Sequence, residues 1–284
     1  MFFQPVYFSI FLNEKQVILV GFLDKIIKKS KRSEILIKSD LASELSPGNR
    51  SIIDEQISVS HLVVDKKLSK KINKPIGSYV TVESDVVRNG NQPLFDRVSD
   101  ALGCELNKLL DKTKGDVLVV GLGNRLLTAD ALGSKVCDRI IVDKEGGRRV
   151  RSLCPGVYGS TAIESYDVIR GVVGVVNPGV IIAVDSLCAA RACRIGSAFQ
   201  LTDVGIIPGS GVKNARKALN FESLGVPVIS LGVPTVVYAS TIAEESGGEV
   251  NSELSDMVVT SKDVDILVDA CAEVISAAIN KGIR

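Results

Sequence analysis

Three short, uninterrupted apolar runs constrain this chain more than any other feature: DVLVVGLG at 116–123, GVIIAVD at 179–185 and VPVISLGVP at 226–234. Runs of this length, rich in Val and Ile and bounded by Gly or Pro, suit strands buried on both faces, as in parallel sheets. Between and around them the period changes to that of helices. Phe95, Val98, Leu102, Leu106 and Leu109 fall three or four apart and predict an amphipathic helix over 94–110. A second helix is expected at about 128–138, with Thr128 as N-cap. A third, from 161 to about 175, is expected to start at a Thr161/Glu164 capping box, and a fourth covers 264–279. Strands alternating with helices imply an α/β fold, a mostly parallel sheet with helices on both faces. Ahead of it, ILIKSDLA, ISVSHLVV and IGSYVTVE read as an N-terminal β-rich segment. The expected organisation is one domain over 35–284, with a β-rich part at 35–114 and an α/β core at 115–284.

The 284 residues suffice for one large domain or two small ones. A formal net charge of +1 argues against an obligate binder of nucleic acid or membrane surfaces. The six cysteines form no CxxC pair and the sole imidazole is His61, a pattern that suggests neither a zinc cluster nor a disulfide framework. The cysteines are expected as buried thiols in a reducing cytoplasm, and His61 as a strand residue. Residues 1–34 stand apart, since Phe2, Phe3, Tyr7, Phe8, Phe11 and Phe22 lie there, followed by Lys25, Lys28, Lys29, Lys31 and Arg32. Positive charge after the apolar stretch is the reverse of a secretory signal, and the apolar runs are shorter than the roughly 20 residues of a membrane span. This stretch reads as an N-terminal extension or pro-segment.

With histidine so scarce, chemistry is sought among carboxylates, lysines and backbone amides. Ligands on open α/β sheets gather at the carboxyl ends of the strands. Asp185 ends GVIIAVD there, and Asp130 lies just past DVLVVGLG in the first turn of the next helix. They form a candidate carboxylate dyad, although acidic residues also favour helix starts for ordinary electrostatic reasons. The Gly121-Leu122-Gly123-Asn124-Arg125-Leu126 turn lacks the third glycine of a dinucleotide fingerprint. Gly209-Ser210-Gly211-Val212-Lys213 is neither a P-loop nor a hydrolase elbow. Gly121, Gly123, Asn124, Gly209, Ser210 and Gly211 are therefore candidates for presenting backbone donors to a substrate carbonyl, and no cofactor or metal is expected.

Six segments in order, GLGNRLLTADALGSKV, LCPGVYGSTAIES, GVIIAVDSLCAARA, LTDVGIIPGSGVKNARKAL, LGVPVISLGVPTVV and MVVTSKDVDILVDACAEVI, resemble the germination protease family of spore-forming bacteria. With weaker similarity from IKSDLASE through IGSYVTVES, the resemblance spans about 35–284. It implies a fold similar to that of hydrogenase-maturation proteases and an endopeptidase that degrades small acid-soluble spore proteins at germination. It also implies a self-processing zymogen, a homotetramer, and a cytoplasmic location in the spore core. The aspartates proposed as catalytic in that family fall on Asp130 and Asp185. A water-activating mechanism follows, in which two nearby carboxylates share one proton, Asp130 acting as base and Asp185 as protonated acid.

The departures are specific. Arg125 and Leu126 stand where the family usually has Trp-Asn, Ala129 where it has Pro, and Tyr238 where it has Asp; the stretches 143–151 and 242–257 are shorter. They keep two other readings open, a noncatalytic peptide-binding homologue and a metal-dependent maturation peptidase. Substrates of the family are cut between an acidic and an apolar residue in a pattern resembling Ser39-Asp40-Leu41-Ala42-Ser43-Glu44, so the Asp40–Leu41 bond is the expected processing site. Mildly acidic conditions are expected to loosen a pro-segment held by carboxylates.

Overall fold

The computed structural model describes residues 39–142, 147–210, 216–248, 250 and 252–283, which belong to a compact unit over Lys38–Arg284. The expected extension at 1–34 and the candidate Gly211 lie outside the described residues.

The strands are β1 (Asn49–Ile52), β2 (Ser58–Val64), β3 (Gly77–Glu83), β4 (Val117–Gly121), β5 (Val150–Leu153), β6 (Val180–Ala189), β7 (Ala198–Thr202), β8 (Val228–Tyr238) and β9 (Val258–Thr260). The helices are α1 (Ala42–Leu45), α2 (Lys66–Ile72), α3 (Phe95–Leu110), α4 (Leu132–Cys137), α5 (Tyr158–Thr161), α6 (Ser165–Val176), α7 (Phe221–Leu224), α8 (Ala239–Glu245), α9 (Ser252–Asp256) and α10 (Val264–Gly282). All nine strands join one sheet in the order β1-β2-β3-β7-β8-β6-β4-β5, with β9 also on β8. Its core is parallel, β8-β6-β4-β5, as the apolar runs predicted. The N-terminal β-rich segment continues the same sheet through antiparallel pairs, with β7 as the join to β8.

The sheet is covered on both faces because its central strands alternate between two apolar clusters. Val117, Val119, Val180, Ile182 and Val184 face the cluster built with α3, α4 and α10. Leu118, Val120, Ile181 and Ala183 face Tyr166, Ile169 and Val173 of α6. Each fully buried Leu, Ile or Val stabilises the fold by roughly 1.5–3 kcal/mol. No helix among the described residues is long and apolar enough to cross a membrane.

Several local expectations are corrected. ILIKSDLA is not a strand where it is described, since Ala42–Leu45 is a helical turn whose Leu41 and Ala42 are wholly buried. Thr128 is not an N-cap; it begins a 3-10 turn, Thr128–Asp130, ahead of α4. Thr161 ends α5, and its hydroxyl accepts the Ile163 N–H, so no capping box forms and Glu164 precedes α6 without a side-chain cap. β6 runs on to Ala189, so Asp185 lies inside it. Of the cysteines, Cys137, Cys188 and Cys271 are buried, whereas Cys104, Cys154 and Cys193 are exposed.

Helix α4 sits close against the sheet because glycines meet there. A Cβ on Gly133 would lie 2.4 Å from the backbone N and O of Leu122 and 2.7 Å from the Val184 carbonyl. These are backbone atoms just past β4 and within β6, so no side chain can move aside. Gly133→Ala is expected to cost about 1–3 kcal/mol, as overpacking does, read as a lower urea midpoint with an unchanged slope.

Candidate active site

The site begins with a mismatch in strand length. The last β4–β6 pair is Gly121 with Val184, and the Leu122 N–H closes the edge by donating to the Val184 carbonyl at 2.8 Å. From Asp185 onward β6 has β8 but no β4 beside it. The chain leaving β4 turns over this step and returns through the Thr128–Asp130 turn into α4. That turn brings Asp130 to the same carboxyl end of the parallel strands as Asp185.

The turn is held by its own groups. The Asn124 N–H donates to Asp130 Oδ2 at 2.7 Å, and Asn124 Oδ1 accepts the Leu126 N–H at 3.0 Å. Thr235, on β8, donates its hydroxyl to the Ala129 carbonyl at 2.7 Å. Gly123 has φ +93°, and a Cβ there would stand 2.1 Å from the Asp130 carbonyl. Only glycine fits that backbone and that approach.

The two carboxyls differ in environment. Asp185 is 6% exposed. Burial pushes its carboxyl well above the ordinary range, the nearby Asp130 and Asp40 charges push it further, and only the Ser186 N–H, 2.9 Å from Oδ1, opposes them. Asp130 is half-buried; burial raises it too, with the Asn124 N–H working in the other direction. Both environments therefore favour the protonated carboxyl, that of Asp185 more strongly. The side-chain hydroxyl of Ser186 is buried with no hydrogen-bond partner among the described residues.

The segment Ser39–Glu44 is docked at the far end of β6. The Asp40 N–H donates to the Cys188 carbonyl at 2.8 Å, and Asp40 Oδ2 and Oδ1 accept from the Cys188 N–H at 2.9 Å and the Ser210 hydroxyl at 3.2 Å. The Asp40 carbonyl accepts from Lys74 Nζ at 3.0 Å and Gln200 Nε2 at 3.1 Å, while Gln200 Oε1 accepts the Ala42 N–H at 2.7 Å. Glu44 accepts the Ala190 N–H at 2.7 Å. Register places Asp185, Gly232 and Gln200 in one row across β6, β8 and β7. Cross-strand partners share a face, so Gln200 stands on the same face as Asp185 with a side-chain-free position between them.

Among the sequence candidates, Gly123 and Asn124 meet Asp130, while Gly121 packs against α4, where a Cβ would lie 2.2 Å from the Gly133 carbonyl. Ser210 meets Asp40, and Gly209 turns the chain beside it with φ +71°. His61 is a β2 residue whose Nε2 lies 2.9 Å from Glu105 Oε2. Lys74 and Gln200 were not anticipated, because nothing in a sequence ties residues 34 and 160 positions away to Asp40. No group of three or more His, Cys, Asp or Glu side chains among the described residues is placed to hold a metal ion.

The Asp185 burial has a thermodynamic consequence. A carboxyl raised in the folded state favours folding below its unfolded pKa of about 3.9 and loses that advantage as pH climbs through the folded value. Asp185→Asn is therefore expected to unfold at a higher urea midpoint than the native chain at pH 7, with the gain vanishing below about pH 4. An equal or lower midpoint at pH 7 would contradict the burial argument.

The germination protease family profile matches residues 38–253. The germination protease of Caldanaerobacter subterraneus is 34% identical over 278 residues, covering 81% of this chain and 86% of its own. That of Priestia megaterium is 35% identical over 247 residues, 75% of this chain and 67% of its own. That of Geobacillus sp. strain WCH70 is 40% identical over 205 residues; the match takes in 67% of this chain but only 55% of that relative. Among solved structures, the [NiFe] hydrogenase maturation protease HycI from Thermococcus kodakarensis is similar over 60% of this chain and 97% of its own, with 18% identity and a TM-score of 0.34. By its profile match and by these relatives, the chain belongs to the germination protease family.

Proposed function

We propose that this protein is an endopeptidase that hydrolyses small acid-soluble spore proteins during germination, with Asp130 and Asp185 activating water. The observation that carries the reading is the unequal pair of carboxyls at one strand end, the charge of Asp130 helping to hold the proton on Asp185. Asp130, ionised, takes a proton from water as the water attacks the scissile carbonyl. Asp185 donates a hydrogen bond to the carbonyl oxygen as negative charge develops, and the proton on Asp130 passes to the leaving amine. Such acid and base roles supply about 10²- to 10⁴-fold each. The Gly123 and Gly209 N–H groups are the candidates for further carbonyl stabilisation, since the Leu122, Asn124 and Ser210 amides already donate within the protein. Assembly as a homotetramer and location in the spore core belong to the same proposal.

Self-processing at Asp40–Leu41 belongs to it as well. Leu41 and Ala42 are wholly buried, so a second protease has no access to this bond without local unfolding. The Asp40 carbonyl already accepts from Lys74 and Gln200, the kind of donors a developing oxyanion needs.

Asp130→Asn and Asp185→Asn are each expected to lower hydrolysis of a spore-protein substrate by at least about 10²-fold with the fold retained. Normal turnover by either folded variant removes that residue from the mechanism, and a folded native chain that binds substrate without cutting it favours the peptide-binding reading. The pH profile is expected to rise as Asp130 ionises and fall as Asp185 loses its proton, both limbs lying above the ordinary carboxylate value of about 4. Activity is expected to survive a chelator; loss that a divalent metal restores would favour a metal-dependent maturation peptidase. For processing, N-terminal sequencing after incubation at mildly acidic pH is expected to find a new terminus at Leu41 in the native chain and none in Asp130→Asn. An uncut native chain already hydrolysing substrate at full rate would exclude activation by this cleavage.

A further inference from the structure

Beside the site turn, on the other side of Gly121, lies a pair of thiols that peptide hydrolysis does not use. Cys137 closes α4, buried, and Cys154 follows β5, exposed. The two elements are joined at that point: Cys137 Sγ lies 3.6 Å from the Leu153 carbonyl, and the Ser152 hydroxyl donates to the Cys137 carbonyl at 3.3 Å. Cys154 is the residue after Leu153, and its thiol interacts electrostatically with Cys137 and with the Arg125 guanidinium. The Arg125 guanidinium is fixed in place by a two-pronged ion pair with Asp138, at 2.8 and 2.9 Å. A Cβ on Gly121 would come 2.7 Å from Cys137 Sγ, so the glycine leaves the space that sulfur fills. One thiol is thus open to solvent beside a cation, with a second, buried one held at the carbonyl of the preceding residue.

We propose that Cys154 and Cys137 form an oxidant-sensitive thiol pair, Cys154 reacting with hydroperoxides and Cys137 resolving the product to a disulfide. The Cys154 thiolate attacks one peroxide oxygen and the O–O bond breaks; the departing hydroxide takes a proton from solvent and leaves as water. Cys154 then carries a sulfenic acid. Cys137, giving up its proton, attacks that sulfur; the S–O bond breaks and a second water leaves. The two thiols supply two electrons and the peroxide is reduced. The charges around Cys154 favour the first step. The Cys137 hydrogen bond and then the Arg125 charge draw the Cys154 thiol down to about 7, outweighing its burial and the Asp138 carboxylate, while Cys137, as donor and buried, is pushed up. Cys154 is therefore the nucleophile and Cys137 the resolver.

The test uses the full reduced chain and iodoacetamide, with labelling followed by peptide mass spectrometry. At pH 7 Cys154 is expected to label several-fold faster than the exposed Cys104 and Cys193, because the Arg125 guanidinium beside it favours the reactive thiolate. Arg125→Leu is expected to remove most of that advantage and Arg125→Lys to restore part of it. Stoichiometric hydrogen peroxide is expected to yield a Cys137–Cys154 linked peptide, reversible by dithiothreitol. In Cys137→Ser the reaction is expected to stop at a sulfenic acid on Cys154 that dimedone traps. Labelling of Cys154 no faster than Cys104, or peroxide treatment that leaves both thiols free, overturns the proposal.

Discussion

The structure depends on a carboxyl that the sheet buries. Asp185 sits within a strand, 6% exposed, where an unpaired ionised carboxylate is far too costly to maintain. No Lys or Arg pairs with it among the described contacts; what faces it is the Ser186 amide and the negative charges of Asp130 and Asp40. Burial and these neighbouring charges raise the Asp185 carboxyl well above the ordinary range, so the fold itself favours its protonated form. Keeping a second carboxyl close then requires that Asp130 be anchored separately. The Asn124 amide does this, and the Gly123 backbone permits it.

The parallel core was legible because the physics is local. An apolar run with both faces buried announces a strand wherever it occurs, and DVLVVGLG, GVIIAVD and VPVISLGVP all appear as central strands. The short strands β1, β5 and β9 carry no such signal, since a strand of three or four residues with at most one buried side chain differs little in composition from a loop. The end of β6 was misread for a related reason. Asp185 and Ser186 look like the start of a loop in sequence, yet β8 continues alongside and pairs with β6 to Ala189, past an irregularity at Leu187/Cys188.

The candidate site divides along the same line. Asp130 and Asp185 stand out in the sequence because each follows a recognisable strand and because the motifs resemble those of a known family. The surroundings of Asp130 differ from what the sequence offered. A helix N-terminus was to favour the Asp130 carboxylate, whereas the residue lies in a 3-10 turn and a single amide from its own loop opposes the burial. The partners of Asp40 were invisible in the sequence, since Lys74 and Gln200 meet it only once β3 and β7 have joined the sheet.

Four acidic side chains, Asp40, Glu44, Asp130 and Asp185, cluster about one stretch of β6 in a chain whose overall charge is nearly balanced. The positive groups nearest them are few. Lys74 reaches the Asp40 carbonyl rather than its carboxylate, and Arg191 approaches Glu44 only at 3.8 Å. Backbone amides of Asn124, Ser186, Cys188 and Ala190 donate to these four carboxyls, joined by the Ser39 hydroxyl on Glu44 and the Ser210 hydroxyl on Asp40. Amides fixed in strands and tight turns cannot reorient as long cationic side chains can, and they neutralise no charge. They fix where each carboxyl sits while leaving in force the repulsion by which Asp130 raises the Asp185 carboxyl.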